Sequence, residues 1–316
     1  MDYLQTSLRA LRSGGGGTTT IHNNKRILYT TTATTAVVAL FAYSRHCYLA
    51  WHALGEGGIP HSPRGWLMNV LAHLVARRDP RAVPAPYEKT KTTTKTTNES
   101  EFVLSSSEEE RYSSPTRSSF LPRGGSLPTR TTPRPEVPGT VVPQRQTSDV
   151  APASTVDRQN AFLEALAAKN TGLFCVRPSA LESPKFAALW LSSSSSESES
   201  KGGSGSKGVV VDIEQAKWLP PQAPGEIAHV HHEGSTHVCL SLPDAAEVVR
   251  KGWGERHRLS GVRGILPWGY VLVYAPRDGK EGESESEWEV WKSVVVAAER
   301  VVARSAGFEG EIVVPE

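Results

Sequence analysis

Five of the ten histidines in this chain are concentrated in one short stretch. His229, His231, His232 and His237 lie in the run Glu226-Ile-Ala-His-Val-His-His-Glu-Gly-Ser-Thr-His237, and His257 ends the nearby Gly252-Trp-Gly-Glu-Arg-His257. Imidazole titrates at about 6.5 when unperturbed, so it can take and return protons near neutrality. The same ring ligates metals, and it also serves as a plain structural hydrogen-bonding group. A His-x-His pair on a strand with a third histidine and a carboxylate would make a facial ligand set. Against a metal, the stretch lacks the His-Glu-x-x-His helical pattern, and Cys47, Cys175 and Cys239 are not spaced as zinc pairs. No metal is therefore assigned from the sequence.

Strand geometry would bring these rings together. Alternate side chains of a strand share a face, so an extended Ile227–Val230 segment projects His229 and His231 to the same side. A turn at Glu233-Gly234 would return Ser235 and His237 toward them, since glycine accepts the positive φ that a tight turn requires. Residues Thr236 to Leu242 alternate in the manner of a half-buried strand. Asp244 to Lys251 reads as a short helix whose start Asp244 favours through its acceptor side chain.

The pattern Glu226-x-x-His229-x-His231, Ser235-x-His237, Asp244, Gly252-Trp253-Gly254-Glu255-x-His257, Leu266-Pro267 and Tyr274-Ala275-Pro276-Arg277 resembles the fungal luciferase domain family. The upstream Gly57-Gly58-x-Pro60 and Gly65-Trp66-Leu67 are similar to the segment that follows the membrane anchor in those proteins. The resemblance implies an oxygen-dependent enzyme that oxidises a hydroxylated styryl-pyrone, 3-hydroxyhispidin, with loss of carbon dioxide and emission of light. It implies molecular oxygen as co-substrate and no metal or organic cofactor. Carried over to this sequence, it makes His229, His231 and His237 candidate bases and hydrogen-bond donors, with Glu255 and His257 as a carboxylate–imidazole pair. Ser235, Trp253, Tyr274 and Arg277 become candidate substrate-binding residues, the two aromatic rings by stacking and the guanidinium by holding an anionic oxygen. Long Ser/Thr/Glu-rich insertions separate this chain from compact luciferases, so the expectation is oxidation of a phenolic or pyrone small molecule rather than luminescence. Two other classes compete: a metal-dependent hydrolase or oxygenase using the histidines, and a noncatalytic module binding a small molecule or lipid.

The chain has 316 residues, with 35 basic against 33 acidic side chains. No sustained basic stripe is present, which argues against a nucleic-acid partner. Three well-separated cysteines argue against a disulfide framework. Lys25-Arg26 precedes a long uncharged run to Ser44, and Arg45, Tyr48 and Trp51 follow it. This predicts a single-pass anchor over 27–54, placing the protein in an endomembrane with a small molecule as its other partner.

Residues 1–26 are then a flexible amino terminus, and 55–82 a loop and amphipathic helix in which Pro60 and Pro63 delay the helix. Residues 83–120 form a low-complexity linker, with Arg-rich, extended chain following to Arg145. The domain occupies 121–316, with insertions at 192–208 and 279–289. Within it the pattern predicts a helix from Val156 stopped by Asn170-Thr-Gly172, strands at 174–176, 209–213 and 270–274, and a final helix over 290–306. The expected class is α+β: an antiparallel sheet with helices packed on one side, preceded by a transmembrane helix.

Overall fold

A computed structural model describes residues 16–83, 87, 111–112, 115–192, 211–277 and 283–316. The chain divides into two units, 1–53 and 54–316. The first contains a long helix, α1 (Gly16–His52), so helical chain begins within the expected flexible terminus. Among the described residues no helix is long and apolar enough to cross a membrane, which corrects the expected transmembrane helix. The physical reason is composition: Thr30, Thr31, Thr32, Thr34 and Thr35 dilute the apolar run.

The second unit opens with α2 (Pro63–Ala72). Pro63 sits at its first turn, where the missing N–H costs nothing, so this proline starts the helix that it was expected to delay. Six antiparallel strands follow: β1 (Phe174–Pro178), β2 (Ala187–Leu191), β3 (Glu226–Val230), β4 (Thr236–Cys239), β5 (Gly254–Arg256) and β6 (Tyr270–Val273). Their order is β1-β2-β3-β4-β6-β5, so β3 and β4 lie at the centre. Besides a four-residue helical turn at Pro122–Gly125, the unit has the helices α3 (Ala153–Lys169), α4 (Leu242–Arg250) and α5 (Glu283–Ser305). This is the α+β arrangement that the sequence pattern implies.

Residues directly opposite on paired strands share a face, and the register sorts the sheet into two unlike sides. Val230 faces Thr236, which faces Val273, which in turn faces Gly254. Helices cover this side: Trp291 of α5 donates to Thr236 Oγ1 at 2.9 Å, Gln159 of α3 donates to the Gly234 carbonyl at 2.9 Å, and Val248 of α4 packs where a Gly254 side chain would begin. On the other side His229 faces His237, which faces Leu272, which faces Glu255. Irregular chain closes this side, chiefly a strap over residues 136–147 whose ends meet through Thr147 N–H and the Glu136 carbonyl at 2.8 Å. Asn69 of α2 pins the strap by accepting from the backbone N–H groups of Val141 and Val142 at 3.0 and 2.9 Å.

Several local expectations change. Ser241, not Asp244, caps α4, and the Asp244 carboxylate instead accepts from Ser119 and from Phe120 N–H. The strand expected at 209–213 is not formed by its described part, since Ile213–Gln215 is a single 3₁₀ turn and residues 209–210 lie outside the described chain. Residues 283–289 are the opening turns of α5 rather than an insertion, a position that suits acidic residues at a helix amino terminus. The insertion at 193–208 and most of the linker at 83–120 lie outside the described residues. In the Arg-rich segment, Arg130 and Arg145 are buried rather than solvated.

Candidate active site

The hairpin that carries the histidines forms as its residue types dictate. Gly234 takes φ +90° in the turn, and a side chain there would strike Ala151 Cβ at 2.6 Å. His231 N–H and the Ser235 carbonyl close the hairpin at 2.9 Å. As a result four imidazoles meet on the strap-covered face. Ring centroids of His229 and His231 are 5.2 Å apart, those of His231 and His237 4.7 Å, and those of His237 and His257 5.5 Å. All four are buried, at 1%, 0%, 2% and 4% exposure respectively for His229, His231, His237 and His257. Tyr270 stacks on His237 with centroids 4.9 Å apart.

Each ring is held by a specific partner. His229 Nδ1 lies 2.7 Å from Glu226 Oε1, and that carboxylate also accepts from Ser179 Oγ and from Ala180 N–H. His231 Nδ1 lies 2.9 Å from Ser235 Oγ, which donates to Glu233. His237 Nε2 lies 3.2 Å from Gln144 Oε1 on the strap. His257 Nδ1 accepts from Leu259 N–H at 3.0 Å. At the rim, Arg145 joins Glu182 at 2.8 Å and His232 at 2.9 Å, while the part-exposed Phe186 ring stands edge-on to His231 at 5.9 Å.

Burial governs the protonation of this cluster, because a charged ring loses hydration there. It pushes His231 below its ordinary value, and with the neighbouring imidazoles it pushes His237 well below. Burial, His231 and Arg258 take His257 down to about 3. Burial opposes ionisation of Glu233 too, but His231, Ser235 and Arg145 outweigh it and hold the carboxyl at about 2. Burial together with Glu226 and Glu182 drives the Tyr270 phenol well up. At neutral pH His231, His237 and His257 are thus uncharged rings, an arrangement able to accept a proton from an acidic hydroxyl or to donate lone pairs to a cation.

The other candidate residues are each engaged by protein partners. Glu255 does not pair with His257: its carboxylate accepts from Arg81 at 2.9 Å, from Tyr274 OH at 2.9 Å and from Gln144 at 3.3 Å. Gln144 consequently links Glu255 to His237. Trp253 donates to the Pro128 carbonyl at 2.6 Å, and Arg130 already lies over its ring at 5.2 Å, so the expected stacking face is taken by protein. Arg277 is held by Glu287, with contacts of 2.9 Å from Nη2 and 3.0 Å from Nε. Ser235 serves the His231–Glu233 connection instead of reaching for a ligand.

Gln144, Arg145, Glu182, Glu233 and Tyr270 complete the site without having been singled out from sequence. Glu233 and Tyr270 carry a usable signal, since one lies in the histidine-rich turn and the other on an alternating strand. Gln144 and Glu182 lie 93 residues from His237 and 37 from Arg145, with nothing local to mark them.

Residues 224–298 match the profile of the luciferase domain. Luciferases of Armillaria gallica and Armillaria mellea are each 47% identical to this chain over 60 residues, 18% of this chain and 22% of the relative. The luciferase of Neonothopanus nambi is 45% identical over 60 residues, with the same coverage. The matched region therefore spans about a fifth of each relative's length. No solved structure matches the chain. The hairpin and β5 of the imidazole cluster lie inside the matched segment, so residues 224–298 are similar to the luciferase domain of the fungal luciferases.

Proposed function

We propose that this protein is a luciferase-like enzyme that uses molecular oxygen to oxidise a phenolic or pyrone small molecule of the 3-hydroxyhispidin type. The observation that carries the reading is the convergence of four buried imidazoles within the segment that matches the luciferase domain. In this reading His231 is the base. Its Nε2 has no hydrogen-bond partner, and its Nδ1 is anchored through Ser235 to Glu233, which would stabilise the imidazolium once a proton arrives. Ionising the pyrone hydroxyl yields an electron-rich enolate, which gives electrons to oxygen and forms a peroxide. His229 and His237 stand beside His231, with ring centroids 5.2 and 4.7 Å away. Because the rings are closed over by the strap, substrate entry requires the strap or the Phe186–Arg145 rim to move.

The test is oxygen uptake by the purified full-length chain with 3-hydroxyhispidin under air, beside a nitrogen control, with light recorded in parallel. Substrate loss that needs air supports the reading, with or without light. Substrate left intact under air overturns it. The proposal extends to membrane attachment through α1, because Val37 and Phe41 are 66% and 72% exposed. Fractionation of the full chain against a form lacking residues 1–54 tests this, and a full chain found wholly in the supernatant rejects it.

A further inference from the structure

Hydrogen bonds fix the tautomer of three of the imidazoles, and in each the fixed tautomer leaves one bare nitrogen. His229 Nδ1 faces Glu226 Oε1 at 2.7 Å; an ionised carboxylate only accepts, so Nδ1 carries a proton, and in the neutral ring Nε2 is then a lone pair. Ser235 commits its single hydroxyl proton to Glu233, so it accepts from His231 Nδ1 and leaves His231 Nε2 bare. That Nε2 is buried and has no hydrogen-bond partner. Gln144 spends its amide N–H groups on Glu255 at 3.3 Å and on the Arg256 carbonyl at 3.0 Å, which turns its oxygen toward His237. His237 therefore donates from Nε2 at 3.2 Å, and its Nδ1 is bare.

One ring nitrogen from each of His229, His231 and His237 lies within 4.8 Å of the other two. His229 Nε2 and His237 Nδ1 are only 3.3 Å apart, so with both rings neutral in these tautomers two lone pairs point at each other. Such a contact is repulsive unless an electrophile occupies the common point. We infer that His229 Nε2, His231 Nε2 and His237 Nδ1 together bind one divalent ion of the first transition row. Three neutral imidazoles suit zinc, iron, cobalt, nickel or copper and offer little to magnesium or calcium, which prefer oxygen ligands. The partners that fix the tautomers are those that orient histidine ligands in metal sites: carboxylates, a hydroxyl backed by a carboxylate, and an amide oxygen. Glu226, Glu233 and Glu182 bring negative charge to the same place, with Glu182 Oε1 3.8 Å from His231 Nε2.

The assignment rests on the cluster used in the proposed function, but an ion on His231 Nε2 would take the lone pair that serves as base in the metal-free reading, so the experiment separates the two. Full-length protein is stripped with chelator and titrated with cobalt, read by visible ligand-field absorption, and with zinc, read by calorimetry and melting temperature. One ion per chain with nitrogen-type cobalt bands and a raised melting temperature is the expected result. His231→Asn should abolish uptake, and Ser235→Ala, which keeps all three ligands, should weaken it about 10- to 100-fold. Folded wild-type protein that takes up neither ion at millimolar concentration overturns the site, as does a folded His231→Asn variant with unchanged affinity. Stoichiometric binding without oxygen uptake on the pyrone in any metal state would sink the proposed function and leave the metal site standing. Oxygen-dependent turnover by a chain that binds no metal would do the reverse.

Discussion

On one side of the sheet Val238, Val271 and Val273 pack beneath helices, whereas on the other the same strands carry His229, His237 and Glu255 beneath a loop. Both sides are buried, but their physics differs. The helix-covered side is stabilised by removing apolar surface from water, which is non-directional and tolerant of exchange between similar shapes. The strap-covered side buries groups that are costly unless each finds a partner of the right polarity. Stability and chemistry are thus assigned to opposite faces of the same strands.

That division is most sharply tested by a pair of substitutions. His231→Gln should lower turnover about 10²- to 10⁴-fold, the range for loss of an acid/base group, with a nearly unchanged melting temperature. Leu166→Ala on α3, where the side chain is wholly buried, should instead cost about 2–5 kcal/mol of stability in denaturant unfolding and leave turnover per folded molecule intact. If both variants lose activity in proportion to stability, the two faces are one cooperative unit and the contrast fails.

A smaller effect probes an exception on the apolar side. Glu299 of α5 is fully buried, and neither carboxyl oxygen has a hydrogen-bond partner. Burial raises its pKa well above the ordinary carboxyl value. A folded-state pKa above the unfolded one contributes stability that is complete below about 4.5 and lost as pH rises toward the folded value. Glu299→Leu should therefore gain stability at pH 8, by about 1–3 kcal/mol, and gain less at pH 4. Melting curves at the two pH values decide this, and an equal gain at both would remove the linkage. The smallest expected change is removal of residues 193–208. Loop length contributes only about 0.6 kcal/mol per doubling, so a fall of many degrees in melting temperature would refute their reading as an insertion.

The helix-covered face was the more legible in sequence, because apolar periodicity repeats: the Phe162–Leu163–Leu166 stripe and the valines of α5 announce their helices, and Asn170-Thr-Gly172 marks a stop. The histidine hairpin was legible as well, since alternation and one glycine determine which rings meet. The strap was not. Gln144 and Arg145 lie in a Pro- and Arg-rich segment with no period to read, and their burial follows from contacts made across the fold. The protein partners of Trp253, Tyr274 and Arg277 were not legible for a related reason: Arg130, Glu255 and Glu287 engage them across the fold, and sequence does not reveal who is adjacent. Acidic residues at 283–289 read equally well as a loop or as a helix start, and packing of Trp288 and Trp291 against Phe162 resolves the choice.

The hairpin also sets an order of assembly. His229, His231 and His237 span nine positions joined by one tight turn, and such a hairpin forms in about 1–10 μs. Gln144 must close a loop of 93 residues to reach His237, so the strap belongs to the late, non-local contacts of folding. The three rings are therefore in register while still open to solvent, and they are sealed afterward. Pulse-labelled hydrogen exchange should find the amides of β3 and β4 protected before those of Val141 and Val142, giving the nascent chain an interval in which its imidazoles can be loaded from outside.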